Sequence, residues 1–180
     1  MKMTNVLLVV GLLGFVAAGP CFAQGDAKKA EPAKATEGIK AERDDAIALG
    51  RELTQSLRQS IVAVNLELTS KEAEAFWPVY KAYQDQLTPL RDRAVKLIVS
   101  YGEKFETLTD DDAKAMLEEL LSINEAESQV RRECLPKFEA ALPIKKVARF
   151  YQIDNKINAE IRYQLSLEIP LLETTESIGQ

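Results

Sequence analysis

Phe76, Tyr80, Tyr83, Leu87, Leu90, Ala94, Leu97 and Tyr101 succeed one another at spacings of four and three over eight positions. A repeat averaging 3.5 residues gathers all eight on one stripe of an α-helix, whereas in a β-strand it would scatter them over both faces. The segment is therefore predicted to be a long helix that packs on another helix along a continuous seam. Met116, Leu120, Ile123, Val130, Cys134 and Phe138 keep nearly the same register, with Glu127 the one polar break. Val147, Phe150, Ile153, Ile157 and Ile161 form another face, and Leu49, Leu53, Leu57 and Ile61 stand four apart earlier in the chain. No stretch shows the sustained alternation of a half-buried strand. The expected fold is all-α with four main helices.

Local signals bound these helices. The first is expected over Asp45 to Val64, weakened at Gly50 and stopped by Asn65 in a left-handed conformation. In Leu68-Thr69-Ser70-Lys71-Glu72, Thr69 can cap the second helix while Glu72 reaches back to the cap's own N–H. That helix is expected to end at Gly102. Thr109 opens the third in the same way, and Asp110, Asp111 and Asp112 fill its first turn, where the helix dipole favours negative charge. Leu142-Pro143 restarts the chain for the fourth, since proline suits the first helical position, and Ile169-Pro170 ends it. Asp92 with Lys96 and Glu127 with Arg131 are acid-before-base pairs four apart, each worth roughly 0.2–0.5 kcal/mol on an exposed face. Pro78, Pro89 and Pro136 fall inside otherwise continuous periodicity. Each is expected to bend its helix, the alternative being that each separates two shorter ones.

The amino terminus reads as an export signal. Lys2 is followed by the apolar run Val6 to Ala18 and then by Gly19, Pro20, Cys21, Phe22 and Ala23, the order of a charged region, an apolar region and a small-residue cleavage site. The run is shorter than the roughly 20 apolar residues of a membrane span. Residues 1–23 are thus expected to be a signal peptide, cut after Ala23 or, on a lipoprotein reading, processed at Cys21. The expected compartment is the periplasm of a Gram-negative bacterium, with no stable membrane insertion after cleavage. Residues 24–44 contain almost no large apolar side chain and are expected to form a flexible tether. Residues 45–170 would be the helical domain and 171–180 a flexible tail.

Composition excludes several function classes. With 23 basic and 28 acidic side chains, the chain lacks the cationic surplus that nucleic acid would require. It has no histidine, which removes the commonest general base and the commonest transition-metal ligand together. No glycine-rich phosphate loop, CxxC or EF-hand spacing occurs, so neither an enzyme nor a cofactor or metal is expected. Once Cys21 is removed Cys134 has no partner within the chain. It is either a buried thiol or half of an intermolecular bridge.

Surface is then left to carry function. Arg131, Arg132, Lys137, Lys145, Lys146 and Arg149 gather positive charge around the junction of the third and fourth helices, interleaved with Phe138, Phe150 and Tyr151. Such a surface attracts acidic, partly apolar chains. Phe76, Tyr80 and Tyr83, beside Trp77, are candidates for apolar contact or dimer packing, or are simply core.

The order of features resembles the Spy/CpxP family of small periplasmic proteins, whose Leu-Thr-x-x-Gln motif usually occurs twice. The first copy here is Leu68-Thr69-Ser70-Lys71-Glu72 and the second Leu142-Pro143-Ile144-Lys145-Lys146. Glu72 and Lys146 stand in place of the glutamine, and Pro143 in place of the second threonine. The resemblance spans about Asp45 to Leu167. It implies elongated, kinked helical hairpins that pair as a homodimer and hold unfolded or partly folded envelope proteins without ATP, in the envelope-stress response. It also allows an adaptor for one sensor kinase. A structural protein that pairs through its heptads is the alternative from the residues themselves.

Overall fold

The computed structural model describes residues 32–172, with side chains from residue 42 onward. The expected signal peptide, residues 24–31 of the expected tether and residues 173–180 of the expected tail lie outside the described residues. Four α-helices follow in order: α1 (Pro32–Leu66), α2 (Ser70–Lys104), α3 (Asp110–Ala141) and α4 (Ile144–Glu168), with a 3₁₀ turn at Phe105–Thr107 between α2 and α3. Among the described residues there is no strand, and the expected all-α fold is the one observed. The described residues divide into two units, 32–57 and 58–172, the division falling inside α1.

Helix α1 runs from Pro32, ahead of the expected Asp45, so residues 32–44 of the expected tether are helical. Their Ala, Lys and Glu side chains are strong helix formers, and proline is suited to the first helical position. Scarcity of apolar residues argues against a core and leaves helix formation open. Within residues 32–57, Leu49, Leu53 and Leu57 are 58%, 54% and 52% exposed. The buried stripe at the end of α1 is Arg58, Val62 and Leu66, one position round from the expected Leu57 and Ile61.

Asn65 does not stop α1; it stays helical and donates from Nδ2 to the Ile61 carbonyl at 2.8 Å. The left-handed residue is Glu67, with φ 52°, a conformation that costs a non-glycine residue roughly 1 kcal/mol. Neighbouring bonds from α4 hold it there. Lys146 Nζ donates to the Glu67 carbonyl at 3.0 Å, and Arg149 Nε donates to the Asn65 carbonyl at 2.7 Å.

Both helix starts signalled by threonine form capping boxes. Thr69 accepts from the Glu72 N–H while Glu72 accepts from the Thr69 N–H, and Thr109 and Asp112 repeat the exchange. Pro143 lies just before α4, and Ile169 closes that helix. Helices α2 and α3 run through Pro78, Pro89 and Pro136 without interruption, so the prolines do not divide them. All three prolines are exposed, as are Glu74, Asp85 and Arg132 four residues before them. The carbonyls deprived of a helical donor therefore belong to solvent-side residues.

Helices α2 and α3 form an antiparallel hairpin. Near its turn, Arg93 grips Glu119 through two parallel bonds of 2.8 and 2.9 Å, the bidentate geometry that makes arginine–carboxylate pairs specific. At its open end the hairpin receives α4 and the end of α1. Val62, Leu66, Phe76, Tyr80, Tyr83, Leu87, Cys134, Phe138, Leu142, Val147 and Phe150 make one buried core there. Phe138 and Phe150 lie 4.6 Å apart between centroids, and Phe76 and Tyr83 meet Phe150 edge-on at 5.3 and 5.9 Å. Edge-to-face contacts of this kind add about 0.5–1.5 kcal/mol each beyond area burial. Cys134 is a buried free thiol, accepting from Gln86 Nε2 at 3.7 Å.

Candidate functional site

The expected basic surface is divided by the fold into three parts. Lys145 and Arg149 line an open groove between the end of α1 and α4, together with Ile61, Asn65, Gln152, Ile153, Asn155, Lys156 and Ile157. Three isoleucines supply its apolar area, three cationic side chains its charge, and no carboxylate lines it. Arg149 is partly committed, since its guanidinium also reaches Glu67 at 3.3 Å. Arg132 and Lys137 are exposed on α3 but do not line the groove.

Lys146 and Arg131 are half-buried and committed to ion pairs within the fold. Lys146 Nζ contacts Glu72 at 2.6 Å, so the last residues of the segments Leu68–Glu72 and Leu142–Lys146 form an ion pair. Leu142 is buried, and Leu68 packs against the same core. The Lys146 bond, with the Thr69 N–H, pulls the Glu72 carboxyl down to about 2. Pro143 gives α4 no side-chain cap.

Arg131 turns inward toward Asp154, a carboxylate 3% exposed. Asp154 accepts from the Tyr83 hydroxyl at 3.0 Å and from Asn158 Nδ2 at 3.1 Å, with Arg58 at 3.6 Å and Arg131 at 3.7 Å. Burial and the Asp154 charge push the Tyr83 phenol upward, so it remains a donor. An ion pair so deeply enclosed costs several kcal/mol per charge to desolvate, and only a full set of hydrogen bonds offsets that cost. Glu127 extends the network outward through Arg131 at 3.8 Å and Arg162 at 3.2 Å.

Phe76, Tyr80 and Tyr83, expected to offer apolar contact or dimer packing, are at most 5% exposed and belong to the core. Each sits where α2, α3 and α4 converge, and no ring face is left for packing against a second copy. Apolar surface occurs elsewhere in residues 58–172: Leu117, Leu120 and Leu121 on α3, and Ile144, Tyr163 and Leu167 on α4, are all exposed.

Sequence reasoning missed Lys156, Asp154 and Arg58. Lys145, Arg149, Gln152 and Lys156 follow at spacings of four, three and four on α4, a signal that a search for contiguous charge passes over. Asp154 falls four after Phe150 and three before Ile157 in the apolar register of α4. A polar residue at a seam position was its signature.

Among the described residues no three Asp, Glu, Cys or His side chains gather to hold a metal ion, and no helix is long and apolar enough to cross a membrane. No protein-family model, curated protein or solved structure matches the chain.

Proposed function

We propose that the chain is a periplasmic, ATP-independent holdase that captures acidic, partly apolar segments of unfolded envelope proteins. The observation that carries this reading is the groove in which Lys145 and Lys156 stand beside Ile61, Ile153 and Ile157. Cations there draw an acidic segment in from a distance, and the isoleucines give it a weak apolar contact on arrival. Exposed leucines on α3 supply further apolar surface. The Glu72–Lys146 pair joining the two motif copies supports a place beside the Spy/CpxP family.

Light scattering tests the proposal. A chemically denatured, aggregation-prone acidic protein is diluted into buffer with or without the chain, lacking ATP, at low and high salt. Suppression at near-stoichiometric ratios that weakens with salt is expected. The double variant Lys145→Glu, Lys156→Glu should capture client at least tenfold more slowly and lose the salt dependence. Absence of suppression at every ratio would sink the holdase reading and leave an adaptor for one defined partner.

A further inference from the structure

On the inner face of α2, Tyr80, Gln84 and Arg91 lie four and seven residues apart, about three turns in all, and Arg58 of α1 reaches this helix through Asp154, which accepts from Tyr83 beside Gln84. Arg91 Nη1 donates to Gln84 Oε1 at 2.7 Å, and Arg58 Nη2 donates to Asn158 Oδ1 at 2.7 Å. The remaining polar atoms of these four side chains are the unusual feature. Arg58 Nε, Arg91 Nη2, Gln84 Nε2 and the Tyr80 hydroxyl are all buried and have no hydrogen-bond partner, and Arg58 Nη1 has only its ion pair with Asp154 at 3.6 Å. Arg58, Gln84 and Tyr80 are 4%, 2% and 5% exposed. Arg91 is only half-buried.

Cations also outnumber carboxylates at this point. Asp154 is the carboxylate paired with Arg58, at 3.6 Å, and it is already shared with Tyr83, Asn158 and Arg131. Burial, and next the neighbouring Arg91 cation, bring the Arg58 guanidinium down to about 10. Burial pushes the Tyr80 phenol up to about 12, so its hydroxyl remains a donor. Buried donors without acceptors each cost roughly 1–3 kcal/mol. Two guanidiniums beside a hydroxyl and an amide N–H match the acceptor-rich surface of an oxyanion.

We infer that Arg58, Arg91, Gln84 and Tyr80 form a binding site for a small oxyanion, of the phosphate, sulfate or carboxylate type. The site lies on different residues from the groove and is independent of the holdase reading. Its occupant neutralises the Arg58–Arg91 repulsion and accepts the unpartnered donors, so binding is coupled to the stability of the bundle.

The test uses the full chain at fixed pH and ionic strength, titrated separately with inorganic phosphate, sulfate, acetate and chloride. Thermal unfolding and the Nε–Hε resonances of Arg58 and Arg91 are followed together. At least one oxyanion should move both resonances saturably and raise Tm by roughly 5 °C near saturation. Arg91→Met and Tyr80→Phe should each weaken that response at least tenfold, while Lys145→Met, in the groove, leaves it unchanged. A lack of saturable movement at Arg58 and Arg91 with every oxyanion would overturn the assignment, as would a response to chloride alone. An equal Tm gain in wild type and Tyr80→Phe would also overturn it, by showing a general salt effect. The arginine resonances of the unmutated chain decide between these outcomes even if Arg91→Met fails to fold.

Discussion

The two ends of the α2–α3 hairpin obey one spacing rule and reach different degrees of burial. At the open end Phe76, Tyr80, Tyr83 and Leu87 are enclosed. Toward the turn Leu90, Ala94, Leu97 and Tyr101 continue the register but are only half-buried, and Leu120 on the facing helix is exposed. The difference lies in the number of layers. Val62 and Leu66 from α1, with Val147 and Phe150 from α4, close over the open end. Near the turn Ile123 is the one fully buried residue of α3, and α4 buries nothing beyond Asp154. A heptad pattern thus specifies which side of a helix faces a neighbour. How many neighbours cover that side depends on other parts of the chain.

This contrast can be broken by truncating one residue at each end. Phe150→Ala should cost about 3–5 kcal/mol, because it empties the centre of the aromatic cluster. Leu97→Ala should cost about 1 kcal/mol, the ordinary effect of a half-buried site. Urea unfolding monitored by circular dichroism measures both, and equal losses would show that the turn end is as tightly packed as the open end. Thr69→Ala comes next, with a loss of about 1 kcal/mol from the cap of α2; an unchanged midpoint would mean that the open end holds the helix start without it.

The smallest effect concerns acid. Glu72 has its folded-state value depressed to about 2, through Lys146 first and the Thr69 N–H second, against about 4.3 in an unfolded chain. A depressed acid contributes stability above its unfolded value and loses it as pH falls through the folded one. Stability should therefore decline between about pH 5 and 2, and Glu72→Gln should flatten that decline. A parallel curve for the variant would show that the Glu72–Lys146 pair does not contribute in solution.

Much of this architecture was legible because it rests on local chemistry. Thr69 with Glu72, and Thr109 with the acids after it, announce helix starts through spacing that needs no tertiary information. The aromatic seam identifies its buried side for the same reason. Readings failed where the outcome depends on a distant partner. The turn of α1 that faces inward is set by Arg58 meeting Asp154, so a stripe of leucines gives way to one containing an arginine. Arg131 and Lys146 read as surface charge, and each found a carboxylate far away in sequence. The groove shared this difficulty, since Ile61 and Lys156 become neighbours only when α1 and α4 come together.

The packing at the open end also constrains the order in which the molecule can be assembled. Glu72 and Lys146 lie 74 positions apart, against 26 for Arg93 and Glu119 near the turn. Closing the shorter loop is cheaper in entropy but yields the half-exposed end, while the strongest contacts wait for the longer closure. A chain growing from its amino terminus can complete α1, α2 and α3 and still lack Val147 and Phe150. Until α4 is made, Phe76, Tyr80 and Phe138 have no lid, and the nascent protein carries an aromatic surface that the finished one conceals.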